Sequence, residues 1–219
     1  MAITRQPLRK GTGKVGYHHG NLRAALVEAG LQLVEETGIE ALTLREAARR
    51  AGVSQTAPYR HFADKEALLA AVAAAGFKAL QQALSEAATG IGDINRRLPR
   101  LGQAYVHFAL DHPGLFRLMF GAGIGDKQPY PLLQQAAQAA YALLEDTMRA
   151  YLSGGHDIPA ATVAAWSLVH GLASLLLDRQ FDSIEMTGEL RNLDKYGLVQ
   201  QITDLFVTAI GLARRAPAR

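Results

Sequence analysis

Apolar and polar residues almost never alternate over four or more positions in this chain; apolar side chains instead recur three and four apart, in runs rich in Ala, Leu, Glu, Gln and Arg. That period is the helical one, so it argues against a sheet-based fold and predicts an all-α protein. With 219 residues, 49% of them apolar, the chain can bury one or two real cores, which excludes wholesale disorder. Cysteine is absent, which excludes a disulfide scaffold, thiolate metal sites and thiol catalysis and fits a reducing compartment. Residues 1–16 are basic but lack the apolar centre of a secretory signal. The longest nearly apolar stretch, Trp166–Leu177, contains His170 and falls short of the ~20 residues of a bilayer span. No membrane partner is expected, and the cytoplasm is the expected address.

Local signals divide the chain further. A first helix is expected from Asn21, as N-cap, through Leu22, Leu26, Ala29, Leu33 and Val34 to Gly38. Thr43-Leu44-Arg45-Glu46 reads as a capping box opening a second, short helix, and Ser54 is placed to cap a third that runs to about His61. Asp64 is placed to cap a long helix, Lys65 to about Ala88, that can link two bodies. Further helices are expected at about 94–112, 113–120, 130–152, 159–178 and 194–214. The expected units are a flexible basic arm (1–16), a helix-turn-helix unit (17–64), a connecting helix (65–90) and a larger helical domain (91–219).

The charge is unevenly spread. Residues 1–62 hold nine Lys or Arg against five Asp or Glu, whereas residues 63–219 hold fourteen against fifteen. A small basic module that meets a polyanion, joined to a larger one that does not, would produce this pattern. In a helix-turn-helix the second helix enters the major groove, and the residues of the third helix here suit that use. Gln55 and Thr56 are neutral hydrogen-bonding groups, Ala57 and Pro58 are small apolar faces, and Tyr59, Arg60 and His61 can reach phosphates.

Asn21-Leu22-Arg23-Ala24-Ala25-Leu26, Leu42-Thr43-Leu44-Arg45-Glu46-Ala47-Ala48, Ala51-Gly52-Val53-Ser54, Tyr59-Arg60-His61-Phe62 and Lys65-Glu66-Ala67-Leu68-Leu69 together resemble the DNA-binding domain of the TetR/AcrR family of bacterial transcriptional regulators. The resemblance covers residues 17–69 without a gap. It implies phosphate-positioning roles for Thr43, Tyr59, His61 and Lys65, base reading by Gln55, Thr56 and Ala57, and a contribution from Arg45. Pro58 departs from the bulkier residue often found before this Tyr. Tyr17-His18-His19-Gly20-Asn21, with Trp166-Ser167-Leu168-Val169-His170-Gly171, resembles the subgroup whose C-terminal domain carries a Trp-x-x-x-His-Gly signature.

The family resemblance implies a C-terminal domain that is all-helical, dimeric and ligand-binding. The helix around residues 159–178 is apolar nearly all round and must be covered twice, and the last helix repeats the pattern. Leu168, Leu172, Leu175, Ile202, Leu205, Phe206 and Ala209 are therefore candidates for a two-fold, four-helix interface. Two recognition helices would then face successive major grooves, so the partner is expected to be a palindromic operator in double-stranded DNA. Tyr105, His107, Phe108, Phe116, Met119, Phe120, Tyr141, Met148 and Trp166 are candidates for an effector pocket, with Tyr105, His107, Arg117 and Tyr141 as its polar groups. Such a lining favours a small, mostly hydrophobic effector. Repression is the expected mode, with the effector releasing DNA.

Other chemistries lack support. Gly11-Thr12-Gly13-Lys14-Val15-Gly16 fits a Gly-x-Gly-x-x-Gly pattern, but no strand precedes it and no βαβ pattern follows. His-Glu-x-x-His and Gly-x-Ser-x-Gly are both absent, so neither a metal nor a cofactor nor enzymatic activity is expected. The alternatives are an all-helical enzyme and a helical interaction protein that has lost DNA contact. An enzyme should show converging catalytic groups, and none appears; a decayed binder should have lost Tyr59, His61 or Lys65, and all remain.

Overall fold

The computed structural model describes residues 22–152, 157–182 and 194–215, the last four by backbone alone. Among these residues all regular structure is helical. The helices are α1 (Leu22–Thr37), α2 (Leu44–Arg50), α3 (Lys65–Ala88), α4 (Ile94–Asp111), α5 (Pro113–Phe120), α6 (Pro131–Tyr151), α7 (Ile158–Leu177) and α8 (Lys195–Arg215), with short 3-10 turns at Ala57–Arg60 and Gln180–Asp182. The N-cap expected at Asn21 and the basic arm lie outside the described residues.

Local chemistry sets most of the boundaries. Asp64, Asp93 and Asp157 each accept a backbone amide in the first turn of α3, α4 and α7, from Ala67, Asn95 and Ala160 respectively. Pro113, Pro131 and Pro159 stand in first turns, where a missing N–H costs nothing.

The third helix differs from expectation. Ser54 does not cap it; the Ser54 hydroxyl pairs with that of Thr56 at 3.3 Å, and the chain makes only a 3-10 turn at Ala57–Arg60. Pro58 is the cause, because it lacks the N–H that would donate to the Ser54 carbonyl in an α-turn. Ala57 N donates to that carbonyl instead, at 3.0 Å.

α3 is more than a connector. Its 24 residues bury Leu68, Leu69, Val72, Phe77, Leu80 and Leu84 against α1, α4, α5 and α6. One hydrophobic core therefore runs continuously from Leu26 to Val199, and a smaller cluster around Leu98, Met148, Tyr151 and Leu152 closes the far end. α1 also touches α5 directly. A Cβ at Gly114 would collide with the Val34 carbonyl oxygen, so only glycine permits that approach.

α3 and α7 are each long and apolar enough, by length and composition, to cross a membrane. The limit drawn from Trp166–Leu177 understated α7, since Ile158–Leu177 holds no Asp, Glu, Lys or Arg over 20 residues. Helix packing accounts for the apolarity of α3, and one side of α7 packs on α4, α6 and α8.

The face expected to pair subunits is split. Leu172 is buried in the core, Leu168 and Phe206 line a cavity, and Ile202 is half-buried, whereas Leu175 and Leu205 are 43% and 69% exposed and Ala209 is exposed. Val163, absent from the expected set, is 49% exposed. A helix apolar all round does not reveal from its sequence which side its own subunit covers.

Candidate DNA-binding face and effector cavity

The helix-turn-helix unit is built by short-range bonds. Thr43 Oγ1 accepts the Glu46 amide at 3.1 Å, starting α2. The reciprocal half of the expected capping box is replaced, because Arg49 engages both Glu46 carboxylate oxygens, at 2.9 and 2.6 Å. That guanidinium holds the Glu46 carboxyl below its ordinary pKa. Gly52, at φ +70°, supplies the left-handed turn after α2. Pro58 and Phe62 are buried beneath the 3-10 turn. Above them Gln55, Thr56, Tyr59, Arg60 and His61 are exposed, Tyr59 at 54%, and Ala57 is half-buried. Thr43 and Arg45 are exposed at the start of α2.

The basic residues of this unit fall into two groups. Arg49 is tied to Glu46 and Arg50 to Glu36 at 2.6 Å, and Arg23 stacks over the Phe62 ring. Arg45 and Arg60 make no ion pair among the described residues, so both guanidinium groups are available to a polyanion. Lys65, at the start of α3, is half-buried and its ammonium donates to the Glu40 carbonyl at 3.3 Å.

The larger domain forms a partly open cavity of about 580 Å³ bounded by α3 to α8. Of the residues expected there, Tyr105, Met119, Phe120, Tyr141 and Trp166 line it. Phe116 stands behind the wall, 4.8 Å ring to ring from Phe120 and 5.8 Å from Tyr105. His107 instead faces Tyr196 on α8 at 4.9 Å, and Phe108 stacks on His112 at 5.0 Å. Arg117 leaves the pocket altogether and pairs with Asp178 at 3.1 Å. Met148 is fully buried in the far cluster. All four belong to helices that do border the hollow or its wall, and a helix carries only part of its surface toward any one neighbour.

Sequence reasoning missed the contribution of α3 (Phe77, Leu80, Leu84) and the polar wall of Lys127, Gln134 and Gln138. It also missed a relay at the wall. The Tyr105 hydroxyl accepts the Trp166 indole N–H at 3.2 Å and hydrogen-bonds Nδ1 of His170 at 2.8 Å. Burial raises the Tyr105 pKa and lowers that of His170, so both stay neutral near pH 7. The Trp and His of the Trp-x-x-x-His pattern thus converge on one hydroxyl, which their spacing of four on α7 allows.

Two carboxylates join the regions. Glu35 on α1 accepts the Leu115 amide at the start of α5, at 2.9 Å, with His112 Nδ1 at 3.9 Å. Glu66 on α3 accepts the Gly125 amide in the α5–α6 loop, at 3.1 Å. α5 carries Met119 and Phe120, so one short helix both lines the cavity and rests on the helix-turn-helix unit.

An exposed helix-turn-helix on a small basic unit, packed on a helical body with an apolar cavity, defines a ligand-responsive DNA-binding protein. Residues 26–72 match the family described as "Bacterial regulatory proteins, tetR family", and residues 98–192 match "Tetracyclin repressor-like, C-terminal domain". The chain belongs to the TetR family of bacterial transcriptional regulators. It is similar to an "Uncharacterized HTH-type transcriptional regulator" of Haemophilus influenzae, with 27% identity over 82% of this chain and 86% of that protein. Its similarity to the class C tetracycline repressor of Escherichia coli is 47%, confined to 53 residues and 24% of each chain. A solved structure of a protein of unknown function from Rhodococcus sp. RHA1 superposes with TM-score 0.74 at 30% identity, covering 90% of this chain and 98% of that one. Members of the family bind DNA and small-molecule effectors and act as dimers.

Proposed function

We propose that this regulator is a cytoplasmic two-fold dimer that represses from a palindromic operator and is released when a small, mostly hydrophobic effector enters the cavity. Residues 17–64 contact DNA, residues 65–90 transmit, and residues 91–219 bind the effector and the second subunit. Gln55, Thr56 and Ala57 read base edges, Thr43, Tyr59, His61 and Lys65 position phosphates, and Arg45 and Arg60 add positive charge. The outward residues Val163, Leu175, Leu205 and Ala209 pair the subunits. The Trp166–His170–Gly171 sequence supports the subgroup that carries the Trp-x-x-x-His-Gly signature. No catalytic step is assigned to any residue.

The observation that carries this reading is the double duty of α5. A ligand that displaces Met119 or Phe120 moves the helix whose Leu115 amide, in its first turn, is held by Glu35 of α1. Ligand and operator then compete through one population shift, each weakening the other. The test begins with an operator selected from a random duplex pool and a compound screen for release, followed by gel-shift titration. Tyr59→Phe is expected to weaken all duplexes and lower the salt slope, whereas Gln55→Ala changes sequence preference. Ala140→Trp, which fills the cavity, is expected to keep operator affinity and lose release. Operator binding unchanged at saturating effector would overturn the coupling.

A further inference from the structure

We infer that the effector is an anionic amphiphile, its charged head at Lys127 and its apolar body laid along α6 toward Leu98, Leu144 and Phe206. This deepens the reading of the cavity as the effector site and rests on it. Two asymmetries of the lining carry the inference.

The first is spatial. The α6 residues of the lining run from Leu133 to Leu144, a length of about 16 Å at the helical rise. Lys127 and Gln134 stand at the beginning of that span, where the Gln134 side chain donates to the Lys127 carbonyl at 3.3 Å, and Gln138 stands near its middle. Leu98, Leu144, Phe206 and Val207 wall its end; Tyr141 and Thr203, three residues before Leu144 and Phe206, are the uncharged polar side chains nearest in sequence, and the Thr203 hydroxyl already donates to carbonyls of its own helix. A hollow with its cation and side-chain amides in one half and mostly aliphatic walls in the other fits a molecule divided the same way, since a charged group buried among the leucines would lose its water without a partner.

The second is charge. Among the described residues, Lys127 is the single charged residue of the lining, and no Asp or Glu borders the cavity. Its stem is exposed and its ammonium lies back across the end of α5, 3.5 Å from the Met119 carbonyl. That single long bond leaves the ammonium able to turn to an incoming carboxylate, a shorter and charge-assisted contact. A cationic ligand would gain from the faces of Phe120, Tyr141 and Trp166. It would also meet the Lys127 ammonium and, among the described residues, no acidic side chain in the lining.

Trp166 is the only tryptophan of the chain and lines the cavity, so its emission reports occupancy without DNA. The full-length protein is titrated at neutral pH, below micelle formation, with sodium dodecanoate, dodecanol and dodecyltrimethylammonium. Dodecanoate is expected to bind about fivefold tighter than dodecanol, the upper range for an exposed ion pair, with the ammonium weakest. Lys127→Met removes that advantage and leaves dodecanol unchanged; Lys127→Glu reverses the order of the two ions. Equal binding of dodecanoate and dodecanol, tightest binding of the ammonium, an advantage that survives Lys127→Met, or no response to any probe overturns the proposal. None of these results touches the cavity as effector site, which stands or falls with the loss of release in Ala140→Trp.

Discussion

The helix-turn-helix unit and the body that carries it solve packing in opposite ways. In the first, small and medium residues such as Leu26, Ala29, Leu33, Ala47 and Ala48 fill the interior, and the polar surface outside is left for a partner. In the second, large side chains from six helices meet around a hollow of about 580 Å³ and leave part of their apolar surface uncovered. Contacts forfeited around a void are stability not gained. The contrast teaches that rigidity is placed where a fixed groove must be matched, and slack where a second molecule must enter and move a helix.

Truncation of core residues is the strongest way to break that contrast. Leu26→Ala, at a fully buried position, is expected to cost about 2–5 kcal/mol, whereas Leu144→Ala, half-buried on the hollow, is expected to cost less than about 2 kcal/mol because fewer contacts are lost. Urea unfolding of both variants decides it, and equal losses would mean the hollow is not slack. Next in size, Glu35→Ala leaves the Leu115 amide without its acceptor and is expected to cost about 1–3 kcal/mol. Glu35→Gln keeps an acceptor oxygen and is expected to lose less. In the same variants the effector is expected to release DNA less completely, read by gel shift at saturation. Thr43→Ala removes the α2 cap, about 1 kcal/mol, and Thr43→Ser restores it, read as thermal midpoints.

The smallest expected effect is that of pH. Burial lowers the pKa of His170 and of His107, so on acidification the unfolded chain takes up these protons first. Their contribution is complete above the ordinary histidine value of about 6.5 and is lost as pH falls below it. Midpoints of the wild type are expected to decline from pH 7 to pH 5, and His170→Gln is expected to decline less. A steeper decline in that variant would reverse the assignment.

Legibility followed the range of the interaction that sets each feature. Thr43 and Asp64 act on amides three residues ahead, so their caps and the starts of α2 and α3 could be read directly; Asp93, which acts on the Asn95 amide, was not singled out. The misreadings came where a near neighbour competed or a distant one intervened. Pro58 withheld an amide and shortened the third helix, and Arg49 took the Glu46 carboxylate from its capping partner. His107 and Arg117 were expected in the pocket by type, yet each had a partner on α8 or at the end of α7 that nothing local revealed. Lys127 stands in a loop, and its place at the cavity depends on where α5 and α6 pack.

What the sequence by itself determined is the string of helices, the Thr43 and Asp64 caps and the helix-turn-helix that marks the family, because these depend on hydrogen bonds and periodicity within a few residues. Only the tertiary structure decided the hollow, the place of Lys127 in its lining, the Tyr105 relay and the Glu35 link to α5. A cavity is the space that six helices together leave unfilled, and a contact such as Glu35 to Leu115 joins residues 80 positions apart. Neither leaves a local trace, because each exists only after the core has set the helices against one another.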